Sequence, residues 1–102
     1  MVIELLKFQV PREARANYIQ KDSEIWTTTL AKYPGFLGKE VWTNPNDPTE
    51  LILIIRWATR EQWQAIPGED LQIIAAKFTQ AMGETYPIVE SAEFQVEKFL
   101  VT

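Results

Sequence analysis

The chain reads as an α+β domain with the element order β-α-β-β-α-β. That order builds one antiparallel four-stranded sheet with both helices on the same face. Three observations predict it. Residues 51–57 (LILIIRW) form a continuous apolar run, the pattern of a strand covered on both sides. An alternating strand at 36–43 and a turn-rich 44–50 precede that run, so a hairpin sits mid-chain. Helical apolar stripes flank the hairpin, and two right-handed βαβ crossovers then interleave into a single sheet.

Each element has a local reason. Residues 2–10 (VIELLKFQV) carry apolar groups at Ile3, Leu5, Leu6, Phe8 and Val10, on both strand faces, and Pro11 ends them. From 12 to about 32, Ile19, Trp26, Leu30 and Tyr33 fall on one helical stripe beside Ile25. Arg15, Lys21, Asp22, Glu24 and Lys32 are expected on the rest of that helix's surface. Thr27, Thr28 and Thr29 are weak helix formers, so local propensity falters there. Pro34-Gly35 closes the helix. In strand 36–43, Phe36, Gly38, Glu40 and Trp42 share one face, and Leu37, Lys39, Val41 and Thr43 the other. Thr59 with Gln62 three residues on resembles a capping box and starts a short helix holding Trp63 and Ile66. Pro67-Gly68 interrupts it. A further helix over 70–82 repeats Leu71, Ile74, Ala75, Phe78 and Met82, and Gly83 stops it. Residues 84–91 are expected as a loop and 92–101 as the last strand.

At 102 residues, with 46% hydrophobic and 24% charged residues, one domain over 1–102 is expected. The net charge of −4 argues against a nucleic-acid surface. The absence of cysteine and histidine excludes disulfides, thiolate metal sites, cysteine nucleophiles and serine–histidine catalysis. No metal site and no cofactor are expected. No basic stretch leads into a long apolar run and none of ~20 apolar residues occurs, so neither a signal peptide nor a membrane span is expected. Cytoplasmic localisation follows as the default. Strands apolar on both faces leave the sheet's open side to be covered, and a second copy of the chain is the expected cover.

Trp57 stands on an otherwise aliphatic strand, either as a large core residue or as the wall of an aromatic-binding pocket. Trp26, Trp63 and Phe78 would complete that wall. Glu40 and Arg56 are interior charges of the hairpin. With an even register they are neighbours on one face, either as an ion pair at the dimer interface or as an anchor for an anionic or phenolic ligand. Glu4 and Lys98 could join them. Among Tyr18, Tyr33 and Tyr86, the loop residue Tyr86 is the preferred ligand contact. No acid–base pair stands out, and no catalytic residue is assigned.

The run Pro34-Gly35-Phe36-Leu37-Gly38, the turn with Pro45 and Pro48, the apolar strand ending in Arg56-Trp57 and the helix start Thr59-Arg60-Glu61-Gln62-Trp63 together resemble the antibiotic biosynthesis monooxygenase-like family. The resemblance is local to about residues 34–66, and the element order extends it over the chain. It implies a bacterial, cyanobacterial-type branch, a ferredoxin-like protomer and a dimeric α/β barrel. The superfamily hosts cofactor-free monooxygenases, haem-degrading enzymes, isomerases and stress-related proteins. Trp57 matches a tryptophan that lines the ligand pocket in relatives. The histidine and first-strand asparagine of haem-degrading relatives have no counterparts, which turns the expectation away from haem degradation. Two functions follow. One is a cofactor-independent monooxygenase of an aromatic or quinol-like molecule, using Trp57, Trp26, Phe78, Trp63, Arg56, Tyr86 and Glu40. The other is a non-catalytic dimeric binding or stress-response module.

Overall fold

The computed structural model describes residues 1–101. Its strands are β1 (Val2–Gln9), β2 (Phe36–Asn44), β3 (Asp47–Trp57) and β4 (Ile88–Gln95). They form one antiparallel sheet in the order β2-β3-β1-β4, the ferredoxin-like arrangement. The sheet stays open at β2 and β4.

Between β1 and β2 runs a single helical rod with three kinds of turn. A 3-10 turn, Arg12–Ala14, leads into α1 (Arg15–Lys21), a π segment (Asp22–Thr27) and α2 (Thr28–Leu30). The π segment spans the stretch where Thr27–Thr29 weaken helix propensity. Thr28 and Thr29 turn their hydroxyls back to the carbonyls of Glu24 and Ile25, the latter at 2.8 Å. Gly35 then reverses the chain at φ +90°, where an added Cβ would lie 2.5 Å from Gln62 Oε1.

The helix side of the sheet is read from its register. One row across the sheet is Phe36–Trp57–Val2, the next Lys39–Ile55–Glu4, the next Val41–Leu53–Leu6. Leu30, Leu53, Ile55, Trp57 and Ile66 make one buried cluster there, and Val10, Tyr18, Leu51 and Phe78 a second. A short helix α3 (Arg60–Gln64) is capped by Thr59, whose hydroxyl accepts from the Gln62 N–H at 3.1 Å. Helix α4 (Gly68–Met82) ends at Gly83, φ +82°. Tyr33 ties the rod's end to α4 with a 2.7 Å hydrogen bond to Asp70.

Two boundaries differ from the sequence reading. The hairpin turns at Pro45-Asn46 alone, and β3 begins at Asp47. Asn44 and Asp47 side chains accept from the N–H groups of Asn46 and Thr49, so turn-forming residues work inside strand ends. Pro48 fits because the β2–β3 register shifts beside it and no ladder N–H is needed. The last strand starts at Ile88, not Ala92, and stops at Gln95. Its partner β1 begins at Val2, opposite Gln95, and the Val96 N–H donates to the Met1 carbonyl just beyond the ladder.

Candidate functional site

Between the helix side of the sheet, the rod and α4 lies a cavity of about 280 Å³. Its floor is Leu6, Leu53, Ile55 and Trp57, and its walls are Trp26, Leu30, Trp63 and Phe78. The exposed Glu84 and Thr85 stand at its mouth beside the half-buried Tyr86. Volume and apolar lining with a few polar groups suit a small flat organic ligand.

Three ionisable side chains enter this apolar space. Glu4 and Lys39 lie in the same row of the sheet, one on each side of Ile55, so their Cα atoms are about two strand spacings, ~10 Å, apart. Asp22 comes down from the rod. Its carboxylate is 1% exposed, and Lys39 Nζ lies 2.6 Å from its Oδ2, with both side chains almost fully buried. Oδ2 is engaged by that ammonium, whereas Oδ1 accepts no hydrogen bond from the described residues. A buried carboxylate normally takes several.

Burial raises the Asp22 pKa from its ordinary value, and Lys39 opposes that rise. Burial also raises Glu4, against the Trp57 indole N–H, which donates to Oε1 at 3.3 Å, and against Lys39. One ammonium serves two carboxyls in a low-dielectric space. Lys39 opposes the rise in both, and of the two only Asp22 is in contact with it. Burial, with Asp22 and Tyr86 nearby, pushes the Tyr18 phenol well above its usual range. Tyr18 packs edge-on to Phe78 and Tyr86, with ring centroids 5.0 and 5.7 Å away.

Five of the seven residues named from sequence, Trp57, Trp26, Phe78, Trp63 and Tyr86, line this one cavity. Glu40 and Arg56 do not. Side chains alternate along a strand, and the register puts both on the opposite sheet face from Trp57 and Ile55. There they pair with each other: Arg56 Nε and Nη2 donate to Glu40 Oε1 at 2.9 and 2.7 Å, and Trp42 Nε1 donates to Oε2 at 3.1 Å. Glu4 belongs to the cavity and not to that pair.

Asp22 also corrects an expectation, being buried where a surface position was predicted. Tyr18, Asp22, Trp26 and Leu30 repeat at four-residue steps. In a regular α-helix such steps drift round the surface, but the wider π turn between Asp22 and Thr27 keeps them on one side. That spacing, with Glu4 and Lys39 both at core-facing strand positions, was the available signal for the three charges.

The profile of the antibiotic biosynthesis monooxygenase family matches residues 1–70. The chain belongs to that family. No curated protein matches the chain. Among solved structures it is similar to SnoaB, a cofactor-independent oxygenase from Streptomyces nogalater (TM-score 0.72, 16% identity, 97% of this chain and 95% of that one). It is also similar to the heme degrader MhuD of Mycobacterium tuberculosis, solved with two hemes bound (TM-score 0.72, 20% identity, 99% and 100% covered). A Deinococcus radiodurans protein carrying the family's name aligns over 100% of this chain and 98% of its own (TM-score 0.68, 18% identity). At these identities the likeness concerns the fold, which matches the ferredoxin-like expectation. Among the described residues no helix is long and apolar enough to cross a membrane.

Proposed function

We propose that this family member is a cofactor-independent oxygenase of an aromatic or quinol-like molecule, bound in the cavity beside Trp57. The observation that carries the reading is the buried Asp22 carboxylate with an unsatisfied oxygen in an apolar, aromatic-walled space. Such a group is a base looking for a proton donor. Asp22 takes an acidic proton from the ligand, and the Lys39 ammonium stabilises the anion that forms. An electron-rich anion of this kind reacts with dioxygen directly. A ring CH2 becomes a ketone with one oxygen atom, and the other leaves as water, so the substrate itself supplies all the electrons. Trp26, Trp63, Phe78 and Tyr86 hold the ring system and exclude water.

The working unit in this reading is a dimer. The half-buried Ile3, Leu5 and Ile52, around the already buried Ile54, form an apolar strip on the open sheet face, edged by the exposed Phe94 and Trp42. A second copy covers that strip and closes the barrel.

The test is dioxygen uptake with anthrone as the probe. Uptake in step with ketone formation, reduced at least ~100-fold in Asp22→Asn, supports the reading. Tight anthrone binding without uptake would leave a binding module and sink the oxygenase.

A further inference from the structure

One carboxylate of the sheet lacks the cation that its neighbours have. Glu40 holds Arg56 at 2.7 Å, Glu93 holds Arg60 at 2.9 Å, and Glu50 and Glu90 share Lys7 at 3.2 and 3.3 Å. Asp47, at the hairpin, is held by the N–H and hydroxyl of Thr49. Glu4 lines the cavity, and among the described residues no cation lies within 4 Å of it. We propose that Glu4 is the seat of a ligand cation and that the cavity takes a protonated aromatic amine, its ring among the tryptophans and its ammonium against Glu4. The inference rests on the reading of this cavity as an aromatic-ligand site and names the substrate class of that site. It uses no oxygen chemistry.

Charge, hydrogen bonding and the walls each support it. Two carboxyls and one ammonium line the inner space, and that ammonium is in contact with Asp22. One negative charge is left over, and a buried charge is costly unless it is paired. The hydrogen-bond inventory has the same bias. Trp57 Nε1 donates to Glu4 Oε1 at 3.3 Å, and no described residue donates to the other oxygen. Asp22 Oδ1 likewise accepts nothing. The space offers acceptors and lacks donors, and a primary ammonium brings three donors and no acceptor. An ether or a ketone would leave both oxygens unsatisfied. Trp26, Trp57, Trp63 and Phe78 line the same space, and a ring face attracts a cation that comes within about 6 Å of its centre.

The groups around Glu4 leave that place to a ligand. Lys39 on β2 is committed to Asp22 of the rod. Glu93, opposite Glu4 in the β1–β4 ladder, takes both donors of Arg60, at 2.9 and 3.2 Å. Burial raises the Glu4 pKa, and Lys39 opposes the rise from beyond contact distance. A ligand ammonium in contact opposes it more strongly, so the charged pair forms as the ligand binds.

The probes are 2-(aminomethyl)naphthalene, an ammonium at pH 7, and the neutral 2-naphthalenemethanol, which has the same ring and reach. Their affinities for the full chain are measured by isothermal titration calorimetry. The ammonium should bind roughly tenfold tighter or more. In Glu4→Gln that preference should vanish while the alcohol binds as before, because the amide oxygen still accepts from Trp57. Glu97→Gln, which removes the same charge from an exposed position, should keep the preference. A native chain that binds the ammonium no tighter than the alcohol, or not at all, would overturn the proposal without recourse to any variant. So would a preference that survives in Glu4→Gln shown to be folded by circular dichroism. The two readings fail separately. Ammonium preference without dioxygen uptake on anthrone removes the oxygenase and keeps the cation seat; uptake without the preference does the reverse.

Discussion

Replacing Lys39 by Met tests how the cavity's charges are held. The methionine keeps the stem that packs against Ile55 and removes the one cation in contact with Asp22, whose carboxylate is 1% exposed. Breaking a buried pair by removing one partner costs about 3–5 kcal/mol. That is a large share of the ~5–15 kcal/mol that stabilises a domain of this size. At an m-value of about 2 kcal/mol/M in urea, the midpoint falls by about 2 M at pH 8. The loss depends on pH with a definite sign. Lys39 opposes the burial that already raises the Asp22 pKa, so its removal lifts the folded-state value further. A carboxyl whose folded pKa exceeds its unfolded value keeps its proton when folded. The penalty is absent below the unfolded value, accumulates as pH rises through the window between the two, and is complete above the folded one. The variant should therefore recover part of its stability between pH 8 and pH 5, by about 1.4 kcal/mol for each unit of extra shift. Urea titrations followed by tryptophan fluorescence at both pH values measure this. The double variant Asp22→Leu/Lys39→Met, which has no buried charge left at the pair, should regain most of the loss. An equal loss at pH 5 and pH 8, or a double variant no better than the single one, would refute the assignment of Asp22 as a buried ion balanced by Lys39.

Other outcomes follow from the same structure. Gly35→Ala and Gly83→Ala both force alanine into left-handed backbone, costing about 1–2 kcal/mol each. Gly35 should lose more in thermal unfolding, because its Cβ would strike Gln62 while Gly83 faces open space. Equal losses would contradict the close approach at Gly35. Phe94→Glu places a charge on the open sheet face opposite Ile3. Sedimentation should find a dimer for the native chain and a monomer for the variant, and a variant dimer of unchanged affinity would remove that face as the interface.

Much of the fold was legible because its signals are local. The apolar run at 51–57, the Thr59 cap, Gly35 and Gly83 each state their structure within a few residues. What was misread depended on distant partners. The alternation at 92–101 is a good strand pattern, but pairing is decided by the register with β1, whose residues Val2–Phe8 meet Ile88–Gln95. Asp47 and Pro48 are turn formers by type, yet β3 extends through them because Asn44 pairs with Asp47 and the Val10 N–H donates to the Thr49 carbonyl. In the site, the aromatic wall was readable, since Trp26, Trp57, Trp63 and Phe78 all sit on apolar stripes. The charges were harder. Glu40 and Arg56 looked central because they interrupt apolar strands, but alternation sends them to the other face. Asp22 looked solvated because ionised residues in helices usually are, and only the π turn brings it onto the buried stripe.

The most direct measurement compares the affinity of 2-naphthol with that of 2-methoxynaphthalene by tryptophan quenching. The two rings match, but only the naphthol can donate a hydrogen bond to Asp22. Leaving a buried acceptor unsatisfied costs about 1–3 kcal/mol, so naphthol should bind roughly tenfold tighter or more. The preference should vanish in Asp22→Leu/Lys39→Met. Equal affinities in the native protein, or a preference that persists in that double variant, would contradict a cavity organised around Asp22.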